Sequence, residues 1–326
     1  MTSVAGKRDI KRVDDVDFEV GSVEEKHQQH GNVFEQTEAG PNFRGVSTCG
    51  AAALIIKSQF GLGVLGLPST FQVLGFVPGL VSLCVLCCLI TWTGVVIGKF
   101  RLNHPELHTV ADAGYILFGR FGRELMGVAQ WLYYTLSYGS ALITLSIAFN
   151  SFTNHALCAT GWLGIWPAIC LGVGIAMRTM KVLQRSGYVA VLSIFAGVWV
   201  VSIAVLAQKT PAAAPAGEPI ETNVQAVAYG ASYSSIAAAV ATQFYSLAGT
   251  TSFYVVHAEM KDQTKYVRSL LLGQGFVVFN YLANSCIVYA KVGDYVASPA
   301  LASAGPLIMK VSYGVALPAL IFTAIF

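Results

Sequence analysis

Apolar positions in this chain come in long uninterrupted runs. They do not keep to one face of a helix, nor to alternate residues of a strand. Eight runs stand out, at about 50–75, 77–98, 126–150, 161–177, 187–207, 233–256, 269–290 and 306–326. A helix needs about 20 apolar residues to cross the hydrocarbon core of a bilayer. The fourth run is short, and the eighth stops with the sequence at Phe326. The pattern predicts an all-α membrane protein with eight spans over residues 46–326. Residues 1–45 are polar and mixed in sign, with Lys7, Arg8, Asp14, Asp15 and Glu24 among them, and are expected to form a disordered cytoplasmic tail. No apolar signal-peptide segment precedes the first run, so the first span is expected to direct insertion itself.

Two runs are interrupted at their centres. The first reads Gly61-Leu62-Gly63-Val64-Leu65-Gly66-Leu67-Pro68, and the sixth reads Gln243-Phe244-Tyr245-Ser246-Leu247-Ala248-Gly249-Thr250-Thr251-Ser252. Glycine and proline suit a helix interior least. Backbone freed at membrane depth is tolerated only where protein buries it or where it lines a cavity. Each interruption therefore predicts a helix broken at a substrate site. The two broken runs are five spans apart, so the second enters from the opposite face, as in an inverted repeat with its site near the midplane.

Such breaks have a definite chemistry. The second half-helix begins with free N–H groups, which suit a carboxylate. The first half-helix ends with free carbonyls, which suit an ammonium or a small cation. Together they can hold a zwitterion without a charged side chain. No Asp, Glu or Arg lies in the middle of any run, which favours a neutral amino acid as the ligand.

Composition and charge complete the frame. Only 11% of residues are charged and 55% are hydrophobic. Soluble proteins average about 25% charged. Sixteen of the 20 Lys and Arg residues fall in the tail and in the 2–3, 4–5 and 6–7 loops, against Lys209 and Lys291 on the other side. This asymmetry places the N-terminus in the cytoplasm. Cys84-x-x-Cys87-Cys88 has redox or zinc spacing, but it sits in an apolar run without a second pair and reads as packing. Gly61-x-Gly63-x-x-Gly66 matches a dinucleotide fingerprint formally, yet no strand precedes it and no acidic residue follows about 20 positions later. No cofactor, metal, nucleic-acid partner or catalytic residue is expected, and no enzyme activity.

The residues from Lys57 to Pro68 resemble the first-span signature of the amino acid/auxin permease family. Phe244 to Gly249 and on to Glu259-Met260-Lys261-Asp262 resembles its sixth-span signature. Phe71-Gln72-Val73-Leu74-Gly75-Phe76-Val77-Pro78-Gly79 and the style of the tail bring the chain nearest to fungal neutral amino acid permeases. The resemblance covers about residues 45–326. It implies a transporter with a five-plus-five inverted repeat, broken first and sixth helices and proton-driven amino acid uptake. Family members have about ten or eleven spans, so the second repeat is expected to be truncated here. On that ground the 326-residue chain is expected to bind poorly and not to transport.

The expected substrate contacts are Gln59, Leu62, Gly63, Val64, Ser246, Ala248, Gly249 and Thr250 at the breaks, with Tyr134 and Tyr138 from a polar stripe on the third span. That stripe, which includes Ser137, has helix packing as its alternative role. Lys57 lies four residues, about 6 Å along a helix, before the first glycine. In transporters of this general fold that position borders a cation site between spans one and eight, so its ammonium or its proton is a candidate for the coupled ion. The alternative is that Lys57 snorkels to the cytoplasmic interface, about 10 Å away. Glu259 is either a gating residue or an interfacial partner of Lys261, and His257 is expected at the interface. The expected partners are a neutral amino acid, a proton and the lipid bilayer. The expected residence is the plasma membrane, with the vacuolar membrane as alternative. A receptor that senses an amino acid without net transport is the competing function.

Overall fold

The computed structural model describes residues 46–105, 107–154, 156–176, 180–208, 211 and 222–325. The expected tail over 1–45 lies outside them. Regular structure among the described residues is helical, with one isolated parallel β-bridge between Val46 and Met260. In chain order the helices are α1 (Thr48–Gln59), α2 (Leu67–Leu74), α3 (Phe76–Asn103), α4 (Val110–Phe152), α5 (Ala159–Ala176), α6 (Met180–Ala207), α7 (Tyr233–Ser246), α8 (Ser252–Glu259), α9 (Tyr266–Val292) and α10 (Pro306–Ile325).

Five of them, α3, α4, α6, α9 and α10, contain segments long and apolar enough to cross a membrane. The pair α1 and α2, bent by 46° at its break, passes the same test when taken together, as a broken span or a re-entrant loop. The α5 helix is apolar but shorter, and α7 with α8 forms the other interrupted run. Residues 110–125, expected as loop, are instead the start of α4. The sequence Thr109-Val110-Ala111-Asp112 is a capping box: Thr109 Oγ1 accepts from the Asp112 N–H at 3.2 Å, and Asp112 Oδ2 accepts from the Thr109 N–H at 2.9 Å. The helix then kinks at Gly119, with φ of 65°.

The two interrupted runs lie antiparallel and are tied at both ends. Before α1, Val46 donates to the Glu259 carbonyl and accepts from the Lys261 N–H, each at 3.1 Å. After α2, the N–H groups of Phe76 and Val77 at the start of α3 donate to Gln225 and Ala226 at 3.0 and 2.9 Å. The Ala228 N–H returns to the Leu74 carbonyl at 3.3 Å. These bonds satisfy backbone groups that a helix end leaves open.

Apolar side chains such as Val81, Val85, Trp92, Leu192 and Phe279 face outward, as a lipid-exposed surface requires. Polar side chains turn inward and pair between helices. Gln243 of α7 is fully buried: its Nε2 donates to Thr70 Oγ1 and the Gly79 carbonyl, both at 3.1 Å, and its Oε1 accepts from Ser82 Oγ at 2.8 Å. That side chain joins α2, α3 and α7. Between α6 and α9, Trp199 Nε1 donates to Asn280 Oδ1 at 2.9 Å and Ser202 Oγ to Asn284 Oδ1 at 2.8 Å. The α10 helix packs along α6, and α9 lies beside α1.

Candidate functional site

Both expected breaks are present. The chain leaves α1 at Gln59, makes a 3₁₀ turn over Leu62–Gly66 and re-enters a helix at Leu67. It leaves α7 at Ser246, makes a 3₁₀ turn over Gly249–Thr251 and re-enters at Ser252. The turns form because glycine, and Pro68 at the start of α2, disfavour a continuous ladder.

The breaks interlock. A Cβ on Gly63 would stand 2.5 Å from Ser246 Cα, and a Cβ on Gly249 would stand 2.5 Å from the Ser58 carbonyl oxygen. Only glycine admits an approach this close. Ser246 Oγ donates to the Gly63 carbonyl at 2.9 Å and to the Thr242 carbonyl of its own helix, also at 2.9 Å. The buried hydroxyl of Tyr281 reaches in from α9. It donates to the Gln59 carbonyl at 2.7 Å and to the Ser246 carbonyl at 2.8 Å. Phe60 stacks on the Tyr281 ring with centroids 5.8 Å apart.

Gln59 is the unusual member. It is 4% exposed, and neither its Nε2 nor its Oε1 has a hydrogen-bond partner among the described residues. Its Cγ lies against Gly249, where an added Cβ would come within 2.8 Å. A buried amide with both ends unpaired calls for a ligand or ordered water. An open apolar cavity of about 630 Å³ lies between α4 and α7, lined by Tyr133, Tyr233, Val240, Phe244, Tyr245 and Ala248. Ala248 connects it to the second break.

The other expected residues divide. Gly63, Val64, Ser246, Ala248, Gly249 and Thr250 all lie in or beside the breaks, and Val64 is fully buried. Leu62 opens the first turn, and its side chain is outside the described set. Tyr134 is 45% exposed and packs against Tyr133 at 5.5 Å, while Tyr133 lines the cavity. Tyr138 is partly buried against the main apolar core. Lys57 runs along α6: a Cβ on Gly187 would lie 3.1 Å from Lys57 Cδ and 3.6 Å from its Nζ. Thr323 of α10 stands nearer Gly61, 3.9 Å from where its Cβ would be. His257 is fully buried between helices, with Nδ1 2.7 Å from Arg101 Nη1. The guanidinium can only donate, so Nδ1 accepts and the ring proton sits on Nε2. In the following loop, hydrogen bonds from Lys265 and Thr264 hold the exposed Asp262 carboxyl down to about 2. Tyr281 and Gln243 were missed by sequence reasoning. The signal for Tyr281 was a polar series in the seventh run, Gln274, Tyr281 and Ser285, at helical spacings of seven and four.

Comparison with known proteins places these features in a family. A "Transmembrane transporter" of Fusarium pseudograminearum is 32% identical over 93% of this chain and 63% of its own length. The "N amino acid transport system protein" of Neurospora crassa is 29% identical over 81% of this chain and 56% of its own. The "Amino acid transporter AVT3C" of Arabidopsis thaliana is 26% identical over 74% of this chain and 59% of its own. The chain thus spans under two thirds of the length of these relatives. The family model described as transmembrane amino acid transporter protein matches residues 44–326, and the chain, a multi-pass integral membrane protein, belongs to that family.

Proposed function

We propose that this chain forms the substrate-binding part of a secondary transporter that takes up neutral amino acids by alternating access, coupled to protons. One observation carries the reading: two broken helices meet at their breaks around a buried Gln59 amide that has no hydrogen-bond partner among the described residues. The carbonyls of Gln59 and Ser246 suit an ammonium, and the N–H groups that open the second half-helices suit a carboxylate. Neither break carries an ionisable side chain, which leaves the ligand's side chain uncharged. The antiparallel course of the two interrupted runs supports an inverted five-plus-five repeat with its site between the halves. The printed name of the Neurospora relative supports an amino acid as cargo.

Lys57, four residues before the first break, is the group we assign to coupling, by its ammonium standing in for a cation where α1 passes Gly187 of α6. The N-terminus faces the cytoplasm in this reading, and the residence is the plasma membrane. The test is uptake of radiolabelled neutral amino acids into vesicles from cells expressing the gene, under an inward proton gradient. Saturable, gradient-driven accumulation is the expected result. Binding without flux would instead make the protein a sensor.

A further inference from the structure

Tyr281 does something that the two breaks alone do not require. Its hydroxyl carries one proton, yet it stands at hydrogen-bond distance from two carbonyl oxygens, Gln59 at 2.7 Å and Ser246 at 2.8 Å. These are the last carbonyls of α1 and α7, the two half-helices that stop at the breaks. Both sit at the negative end of a helix dipole. The Gln59 oxygen also accepts from the Gly61 N–H at 2.9 Å. A single neutral O–H therefore serves two acceptors at a point of concentrated negative potential. The ring is held in place: Tyr281 is fully buried, stacked on Phe60, and Phe60 in turn meets Phe276 edge-on at 6.0 Å.

We infer that the Tyr281 hydroxyl is a placeholder for the substrate's ammonium, closing the cationic half of the site between substrates and competing with the ligand for the two carbonyls. This rests on the reading that an amino acid binds at the breaks. An ammonium brings three donors and a positive charge, so it replaces the hydroxyl with bonds that are charge-assisted and stronger. When it leaves, the hydroxyl restores the two carbonyls. Between substrates the Ser246 oxygen thus keeps a donor and the Gln59 oxygen keeps its second one, which membrane-depth backbone requires. The competition lowers affinity and eases release, which a carrier needs in order to turn over. Tyr281 is accordingly a positioning residue that acts through the backbone of both broken helices.

The test uses the purified gene product and measures equilibrium binding of radiolabelled L-alanine and L-leucine, with uptake kinetics alongside. Tyr281→Phe keeps the ring and removes the competitor. Binding should tighten roughly fivefold, the net worth of one neutral hydrogen bond, while kcat falls with KM. A purely structural tyrosine would give weaker binding and a lower melting temperature. Replacing Tyr281 by 3-fluorotyrosine strengthens the O–H donor, and binding should weaken a few-fold. Unchanged or weaker binding in folded Tyr281→Phe protein overturns the inference. If that variant does not fold, the fluorinated protein decides: unchanged or tighter binding overturns it. Wild-type protein that binds neither amino acid, nor any other neutral one, overturns the proposed function and the inference with it. Wild-type binding that does not respond to changes at position 281 overturns the inference alone.

Discussion

Ser246 Oγ lies 2.9 Å from the carbonyl oxygen of Gly63, so a side chain at one helix break serves backbone freed at the other. The two interruptions are 183 residues apart in sequence, and the second supplies a donor to a carbonyl of the first. At Gly63 the contact is so close that an added Cβ would meet Ser246 Cα at 2.5 Å.

Gly63→Leu should therefore abolish amino acid binding in a protein that still inserts. The added side chain cannot fit without moving α7 away from the first break. Overpacking of this kind costs about 1–3 kcal/mol, so the melting temperature in detergent should fall as well. Binding assays on the membrane-inserted variant check this, and normal affinity would remove the breaks from the site.

Gln59→Leu should separate stability from function. The buried amide has no hydrogen-bond partner among the described residues, so an apolar replacement gives up no bond that they supply. Stability should hold or rise by about 1 kcal/mol, while amino acid affinity falls about tenfold, the cost of roughly one charge-assisted bond. A stable variant with unaltered affinity would show that the amide does not reach the ligand.

Gln243→Leu should do the reverse. It removes three interhelical hydrogen bonds, to Thr70, Gly79 and Ser82. At about 0.6 kcal/mol each within a membrane, the loss is roughly 2 kcal/mol. KM for the amino acid should stay within about twofold, because the side chain braces α2, α3 and α7 behind the site. A collapse of affinity with little change in melting temperature would move Gln243 into the binding site.

Lys57→Ala should uncouple transport. In a full-length context, wild-type uptake should follow an inward proton gradient and be the same in sodium and choline buffers. The variant should lose gradient-driven accumulation yet keep exchange of labelled for unlabelled amino acid across vesicles. Sodium-driven uptake that ignores pH would refute the role assigned to this ammonium beside Gly187.

The sequence alone determined that the chain is a helical membrane protein and where the first and sixth runs break. Runs of apolar residues and misplaced glycines act locally, through the length of the bilayer and the cost of Gly and Pro inside a helix. For that reason Gly63, Ser246 and Gly249 were legible as residues of the two breaks, and so was the family. The start of α4 was not, although Thr109 and Asp112 spell its cap, because the residues it caps are too polar to form an apolar run.

Only the tertiary structure decided which distant groups meet. No spacing in the sequence links Gln59 and Ser246 to Tyr281, which lies 222 and 35 residues further on. The Tyr281 hydroxyl comes to them because α9 packs beside α1 and its polar face has to turn inward, away from lipid. His257 shows the same limit. Near a span end it reads as interfacial, and only the packing of α8 against α3 shows that its ring is buried on Arg101, since a buried guanidinium must find acceptors. A local pattern says which side chains must avoid lipid. Which partners they then find is set by helices that meet only in the folded protein.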